Sequence, residues 1–200
     1  MPGSNARYGD NIPFIEFTPT KGRRAWPEQP MTANSNPITT RSATAADVPA
    51  ISALSARVFG PGRFVRTAYR IREGTPDVSP FCRVALLGTR IIAAIRMTEV
   101  AVGSRTGALL LGPLAVDPEF ANLGYGRRLI AESMDAGRQA GQELVLLVGD
   151  MPYYGRLGFV PVPPGQIALP GPVNPARLLA AELKPGALEH YRGLVAGLLE

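Results

Sequence analysis

Apolar residues recur at Val48, Ile51, Leu54 and Val58, a spacing of three and four that lays one stripe along a helix. Thr44 stands before that stripe as a cap with Asp47 in the first turn, and Ile38-Thr39-Thr40-Arg41 reads as a short strand leading in. Gly60-Pro61-Gly62 breaks the pattern. Phe64, Val65, Ala68, Tyr69 and Ile71 then fall among arginines over 63–72, which predicts a second helix ending before Gly74, with Arg63, Arg66 and Arg70 on one face. Phe81 to Leu87 and Ile91 to Val100 are β-rich runs separated by Gly88-Thr89, a hairpin signature. Gly103-Ser104 turns into a further strand over 108–116.

A helix follows over 126–140, with Leu129, Ile130 and Met134 on its apolar face and Gly141 just past its end. Leu144 to Val148 is continuously apolar and reads as a buried central strand. Beyond Tyr154 the chain is punctuated by Gly and Pro. Phe159 to Val162 and Leu178 to Leu183 are the remaining candidate strands, with a short helix or loop expected from Pro185 onward. The order is that of an α/β domain with a mixed sheet. Residues 1–37 are rich in Pro, Gly, Ser, Thr and Asn and lack a period apart from the patch at Ile12 to Phe17, so they read as a disordered arm before a domain over 38–200. Their turn-rich composition makes residues 1–30 expected to be dispensable, and Met31, just before the first patterned segment, is an alternative start.

A chain of 200 residues is long enough to bury a single core. No apolar run reaches the length of a membrane span and no secretory leader is visible, so the expected location is the cytoplasm. Cys82 is the only cysteine and reads as a buried structural thiol; with His190 the only histidine, no metal cluster can be drawn. The net charge of +5 favours anionic partners, but the arginines are scattered rather than gathered into a stripe, which argues against nucleic acid.

The chemistry concentrates between Leu109 and Arg127. A strand stops at Pro118, and a loop carrying Gly124 and Gly126 opens directly onto the helix, so several unbonded N–H groups converge at its positive end. Such an end holds a phosphate or diphosphate, and glycines let the diphosphate touch the backbone. The spacing is neither the dinucleotide-binding G-x-G-x-x-G nor a P-loop.

Ala121-Asn122-Leu123-Gly124-Tyr125-Gly126 resembles motif A of the GNAT acetyltransferases, and Tyr153-Tyr154-Gly155-Arg156-Leu157-Gly158-Phe159 resembles their second signature. Leu111 to Val116 and Gly149 to Pro152 are similar to one bacterial branch of that superfamily, the likeness running from about Ile38 to Leu199. The resemblance implies a mostly antiparallel sheet flanked by helices and splayed between the strands at 108–116 and 144–149, with the pantetheine arm of acetyl-CoA lying in the gap. It implies that the Leu114 amide polarises the thioester carbonyl, that Ala115 and Val116 line the pantetheine, and that the amides of Leu123, Gly124, Tyr125, Gly126 and Arg127 hold the diphosphate. Tyr154 matches the tyrosine credited with protonating the departing thiolate, and a phenol suits that leaving group.

Two departures stand out. Ala121 occupies the Gln/Arg position of motif A, and Leu110 stands where some relatives carry a glutamate base. Glu99 is the nearest carboxylate to propose as a base, against the reading of a solvated surface glutamate. His190 reads as a surface residue and Asp150 as a cap for the following turn. The function implied is transfer of an acetyl group from acetyl-CoA to a small-molecule or protein amine, without a metal, homodimerisation remaining open. A non-catalytic acyl-CoA-binding module is the alternative, and RNA binding through the arginine face at 63–70 a third.

Overall fold

The computed structural model describes residues 37–60 and 70–199. β1 (Ile38–Ser42) leads through a 3-10 turn into α1 (Val48–Phe59), whose Leu54 is fully buried against Cys82, Val84, Ile91 and Ala94. The turn is closed by Asp47, whose carboxylate accepts from the Thr44 amide at 2.8 Å and from Arg41 at 2.7 Å. The predicted second helix and the arm fall mostly on 1–36 and 61–69, outside the described residues; Arg70 and Ile71 are helical and are followed by a turn at 72–74.

β2 (Arg83–Leu87), β3 (Arg90–Val102) and β4 (Arg105–Val116) form a meander; β2 starts two residues later than its apolar run, β3 is longer than its run at both ends, and β4 starts three residues earlier. α2 (Tyr125–Gln139) then crosses to β5 (Leu144–Val148). Leu129 and Ile130 of α2 are at most 1% exposed, and burying each contributes roughly 1.5–3 kcal/mol. Gly141, at φ +77°, ends the helix as its position predicts. A four-residue α3 (Met151–Tyr154), the short β6 (Val160–Pro161) and β7 (Ile167–Ala168), β8 (Leu178–Glu182) and β9 (Gly193–Gly197) complete the described chain.

The strand order is β1-β2-β3-β4-β5-β8-β6, with β9 pairing β3 and β7 off that path. Among the described strands only β4–β5 and β7–β9 run parallel. The mixed, mostly antiparallel sheet is thus the one expected. The C-terminal segment is not: where a helix or loop was expected there is a 3-10 turn (Ala187–His190) and then β9, which covers the second half of β3 at Val100 to Val102. Gly197 makes that possible, since a Cβ there would collide with the Ile71 carbonyl and Thr75. Cys82 is buried as expected, its sulfur accepting from the Ser79 and Met97 amides at 3.4 Å.

Candidate active site

β4 and β5 are paired for three residues only, Ala108 to Leu110 against Leu144 to Leu146, and then part. The remaining residues of β5 pair with β8, while those of β4 pair with β3 alone. The cause is local. Gly112 and Pro113 are inserted opposite the single residue Arg96 of β3, so β4 bulges there, and Pro113 has no N–H to offer a neighbour.

Beyond the bulge the backbone orientation follows from one hydrogen bond. The Asp117 amide donates to Ile92 at 2.8 Å, which makes that pair a bonded one. Antiparallel pairs alternate, so Ala115 bonds to Ala94, while the N–H and C=O groups of Leu114 and Val116 turn away from β3 toward the side where β5 has left. Leu114 and Val116 therefore present polar backbone to the splay; Ala115, 1% exposed, has its backbone bonded to β3 and its methyl in the core beside Cys82 and Ala94.

The glycine loop sits at the mouth of the same splay. Gly124, at φ +89°, precedes α2 with no side chain capping the helix, and Arg128 is the first residue whose amide bonds back, to the Gly124 carbonyl at 3.0 Å. Amides at the first turn of α2 are thereby left for an anion. A Cβ on Gly126 would lie 3.3 Å from the Tyr153 hydroxyl and 3.4 Å from Leu114 and Val116 side chains, so this glycine brings helix, strand and tyrosine to one point. Leu123 is 63% exposed at the lip, and Arg127 is exposed beside Gly124. The loop is braced from behind: Asp117, 4% exposed, accepts from Arg90 at 2.8 Å and from the Glu119 amide at 3.3 Å, and Arg90 also lies over the Phe120 ring. Arg90 first, then the amide and Arg57, holds the Asp117 carboxyl below its usual range.

Tyr154 ends α3, its ring edge-on to Tyr153 at 4.9 Å and to Phe159 at 5.7 Å, and it lies so close over Gly149 that a Cβ there would overlap the ring. Burial, then the neighbouring Tyr153 and Asp150, pushes its phenol up to about 12. Asp150 does not cap α3 with its side chain as expected; its carbonyl accepts from the Tyr153 and Tyr154 amides and its carboxylate pairs with Arg177 at 3.2 Å. Glu99 is not brought to the splay. It faces Leu109 across the sheet, on the far side of the bulge from Leu114, and accepts from Gln142 at 3.1 Å. His190 is exposed at the opposite end of the domain, and among the described residues no three His, Cys, Asp or Glu side chains gather as metal ligands. No helix among those residues is long and apolar enough to cross a membrane.

Two residues at the site escaped the reading of the sequence. Tyr153 was visible only as the first of a tyrosine doublet. Arg72 sat in a run of arginines that looked solvated, yet it is 8% exposed and its guanidinium lies against Gly112 at the bulge.

The parallel pair thus opens at a bulge beside the uncapped, glycine-led start of α2. The chain belongs to the acetyltransferase (GNAT) family, which residues 50–159, more than half of the chain, match. It is 29% identical over 118 residues to the uncharacterized N-acetyltransferase YhbS of Escherichia coli K12, covering 56% of this chain and 68% of that protein. The crystal structure of YhbS in complex with CoA is similar with a TM-score of 0.71 at 25% identity, over 84% of this chain and 93% of that one. A GNAT acetyltransferase from Brucella melitensis, crystallised with acetyl-CoA, shares the fold with a TM-score of 0.54 at 24% identity, over 72% and 96% of the two chains.

Proposed function

We propose that this chain transfers the acetyl group of acetyl-CoA to an amine by direct attack within a ternary complex. The observation that carries the reading is the convergence of the outward-facing Leu114 and Val116 backbone with the uncapped start of α2 at Gly126. The amides from Leu123 to Arg127 would hold the diphosphate, with Arg127 adding charge at the lip, and Val116 would pair with the pantetheine amide groups. The glycines at 124 and 126 fit such a ligand, since side chains at either would stand between it and the helix end.

Acetyl-CoA supplies an acetyl group on a thioester. As a neutral amine attacks, a C–N bond forms, the C–S bond breaks, and charge builds on the carbonyl oxygen. The Leu114 N–H, fixed by the strand, would stabilise that charge without reorganising. Tyr154 serves the departing sulfur. With its phenol near 12 it donates a hydrogen bond to the developing thiolate more readily than a complete proton. Glu99 accepting from Gln142 lies outside this constellation, and the amine proton leaves to solvent.

Calorimetric titration with CoA tests the donor site, and release of free thiol from acetyl-CoA in the presence of amine panels tests the reaction. Tight CoA binding without thiol release beyond hydrolysis for any amine would favour the non-catalytic acyl-CoA-binding module instead.

A further inference from the structure

Arg72 is the least explained charge in the described chain. It is 8% exposed, yet no carboxylate among the described residues lies within ion-pair distance of it, and its Nε has no hydrogen-bond partner. Burying a guanidinium without a counter-charge is strongly unfavourable. Its neighbours make matters worse. Arg96 lies close by, itself with a buried, unbonded Nε, and its only ion pair among the described residues is with Asp77, at 3.4 Å and on a carboxylate 70% exposed. Burial first and Arg96 second push the Arg72 guanidinium down to about 9, the nearby Cys82 opposing them weakly.

The position of this charge is what gives it meaning. A Cβ built on Gly112 would lie 3.6 Å from Arg72 Nη2 and 4.0 Å from the Leu114 amide nitrogen. Guanidinium and amide thus flank one point at the bulge. Backbone contacts hold the segment there: Thr75 donates to the Arg72 carbonyl at 2.9 Å, Arg96 donates to Thr75 and to the Pro76 carbonyl, and Gly197 of β9 presses on Ile71 and Thr75.

We infer that Arg72 is the acceptor-binding residue of this enzyme, and that the amine it acetylates carries a carboxylate a few ångströms from its nitrogen, as a free amino acid does. The inference rests on the acetyl transfer proposed for the same site. A carboxylate on the guanidinium fork supplies the missing counter-charge through paired, charge-assisted hydrogen bonds. It also anchors the acceptor beside the Leu114 amide, where the amine must meet the acetyl carbonyl. A protein amine or a simple alkylamine would leave Arg72 buried and unsatisfied, and a buried unmet polar group is what lets a site reject the analogue lacking its partner.

The test uses the twenty proteinogenic amino acids and their carboxamides, with thiol release from acetyl-CoA as the readout. At least one acid is expected to exceed its carboxamide in kcat/KM by about 10- to 100-fold, and Arg72→Gln to remove that advantage while leaving CoA affinity unchanged. Equal rates on acids and carboxamides, or an advantage that survives in Arg72→Gln, overturns the inference. So does a variant that slows both panels alike, which would put Arg72 on the reacting carbonyl rather than on the acceptor. If Arg72→Gln does not fold, the wild-type protein still decides: calorimetry of its CoA complex with N-acetylamino acids and N-acetylamino acid amides should favour the acids by at least about tenfold. No preference, or no binding by either set, overturns it. Failure of the wild type to bind CoA would instead overturn the acetyl-transfer reading itself.

Discussion

Where β4 and β5 begin, Glu143 takes Arg105 at 2.6 Å, Lys184 at 2.9 Å and the Tyr191 hydroxyl at 3.2 Å. Where the same two strands part, Arg72 is buried with no carboxylate among the described residues within ion-pair distance, the backbone of Leu114 and Val116 turns away from β3, and no described side chain caps the start of α2. One end satisfies its polar groups internally. The other holds them ready. The difference is one of partners within a single strand pair: Glu143 is explained by its neighbours, whereas among the described residues Arg72 has no carboxylate and the Leu114 amide is turned away from β3, which is what the proposed ligands would supply.

The largest effect that would break this contrast is expected at Gly124. Its φ of +89° disfavours most side chains, but Asn and Asp tolerate that region and have nearly the same size. Gly124→Asn should keep most CoA affinity, while Gly124→Asp places a carboxylate against the diphosphate and should weaken it on the order of 10³-fold at an effective dielectric of 20. Equal calorimetric affinities in the pair would move the diphosphate away from α2.

Next comes Tyr154. Tyr154→Phe keeps the ring over Gly149 and against Phe159, so CoA affinity should hold while turnover falls by about 10²-fold, the low end for a positioned acid because the phenol is raised. For the same reason the wild-type rate should show no alkaline fall due to this group until about pH 12. Unchanged turnover with chemistry rate-limiting would make Tyr154 a packing residue.

The contrasting experiment is Tyr153→Phe. Its hydroxyl lies at Gly126, by the helix start, so the expected loss is in CoA affinity, about 2- to 10-fold, with turnover within a few-fold. A reversed split, turnover lost and affinity kept, would exchange the roles of the two tyrosines.

How much of this was legible depends on whether the cause is local. The stripe of α1, the stripe and Gly141 stop of α2, and the apolar run of β5 are local patterns, and each became the element expected. The splay came only with the resemblance: its physical cause, Gly112 and Pro113 inserted opposite Arg96, depends on the register with β3 and is not marked by the apolar run over 108–116. β9 was not legible: Gly193-Leu-Val-Ala-Gly197 has a glycine at each end and too short an apolar run, and what makes it a strand is its pairing with Val100 to Val102 of β3 and with β7, far away in the chain, with Gly197 leaving room for the Ile71 carbonyl. Arg72 was hidden for the same reason. Beside Arg63, Arg66 and Arg70 it looks like part of a wet face, and its burial is dictated by Gly112 and Arg96 across the sheet. Glu99 stands near the end of an apolar run, which points it at the site, but the register sends it beyond the bulge to Gln142.

The smallest expected effect lies at the satisfied end, and it is one of stability rather than of rate. Arg105 first and Lys184 second draw the Glu143 carboxyl from its ordinary 4.5 down to about 2 in the folded protein. A depressed carboxylate contributes stability that is fully present above its unfolded value, so Glu143 helps at neutral pH and its contribution disappears as pH falls from about 4.5 to about 2. Arg105 and Lys184 are 41% and 68% exposed, so solvent and salt screen the contribution and only a few degrees of melting temperature are expected from Glu143→Gln at pH 7. Melting curves of the two proteins should converge as pH is lowered toward 2, and converge partly at high salt. A deficit that stays constant down to that pH would assign the loss to the Tyr191 hydroxyl contact rather than to charge. CoA affinity at neutral pH should be the same in both proteins, because the β4–β5 pairing from Ala108 to Leu110 stands between this network and the bulge.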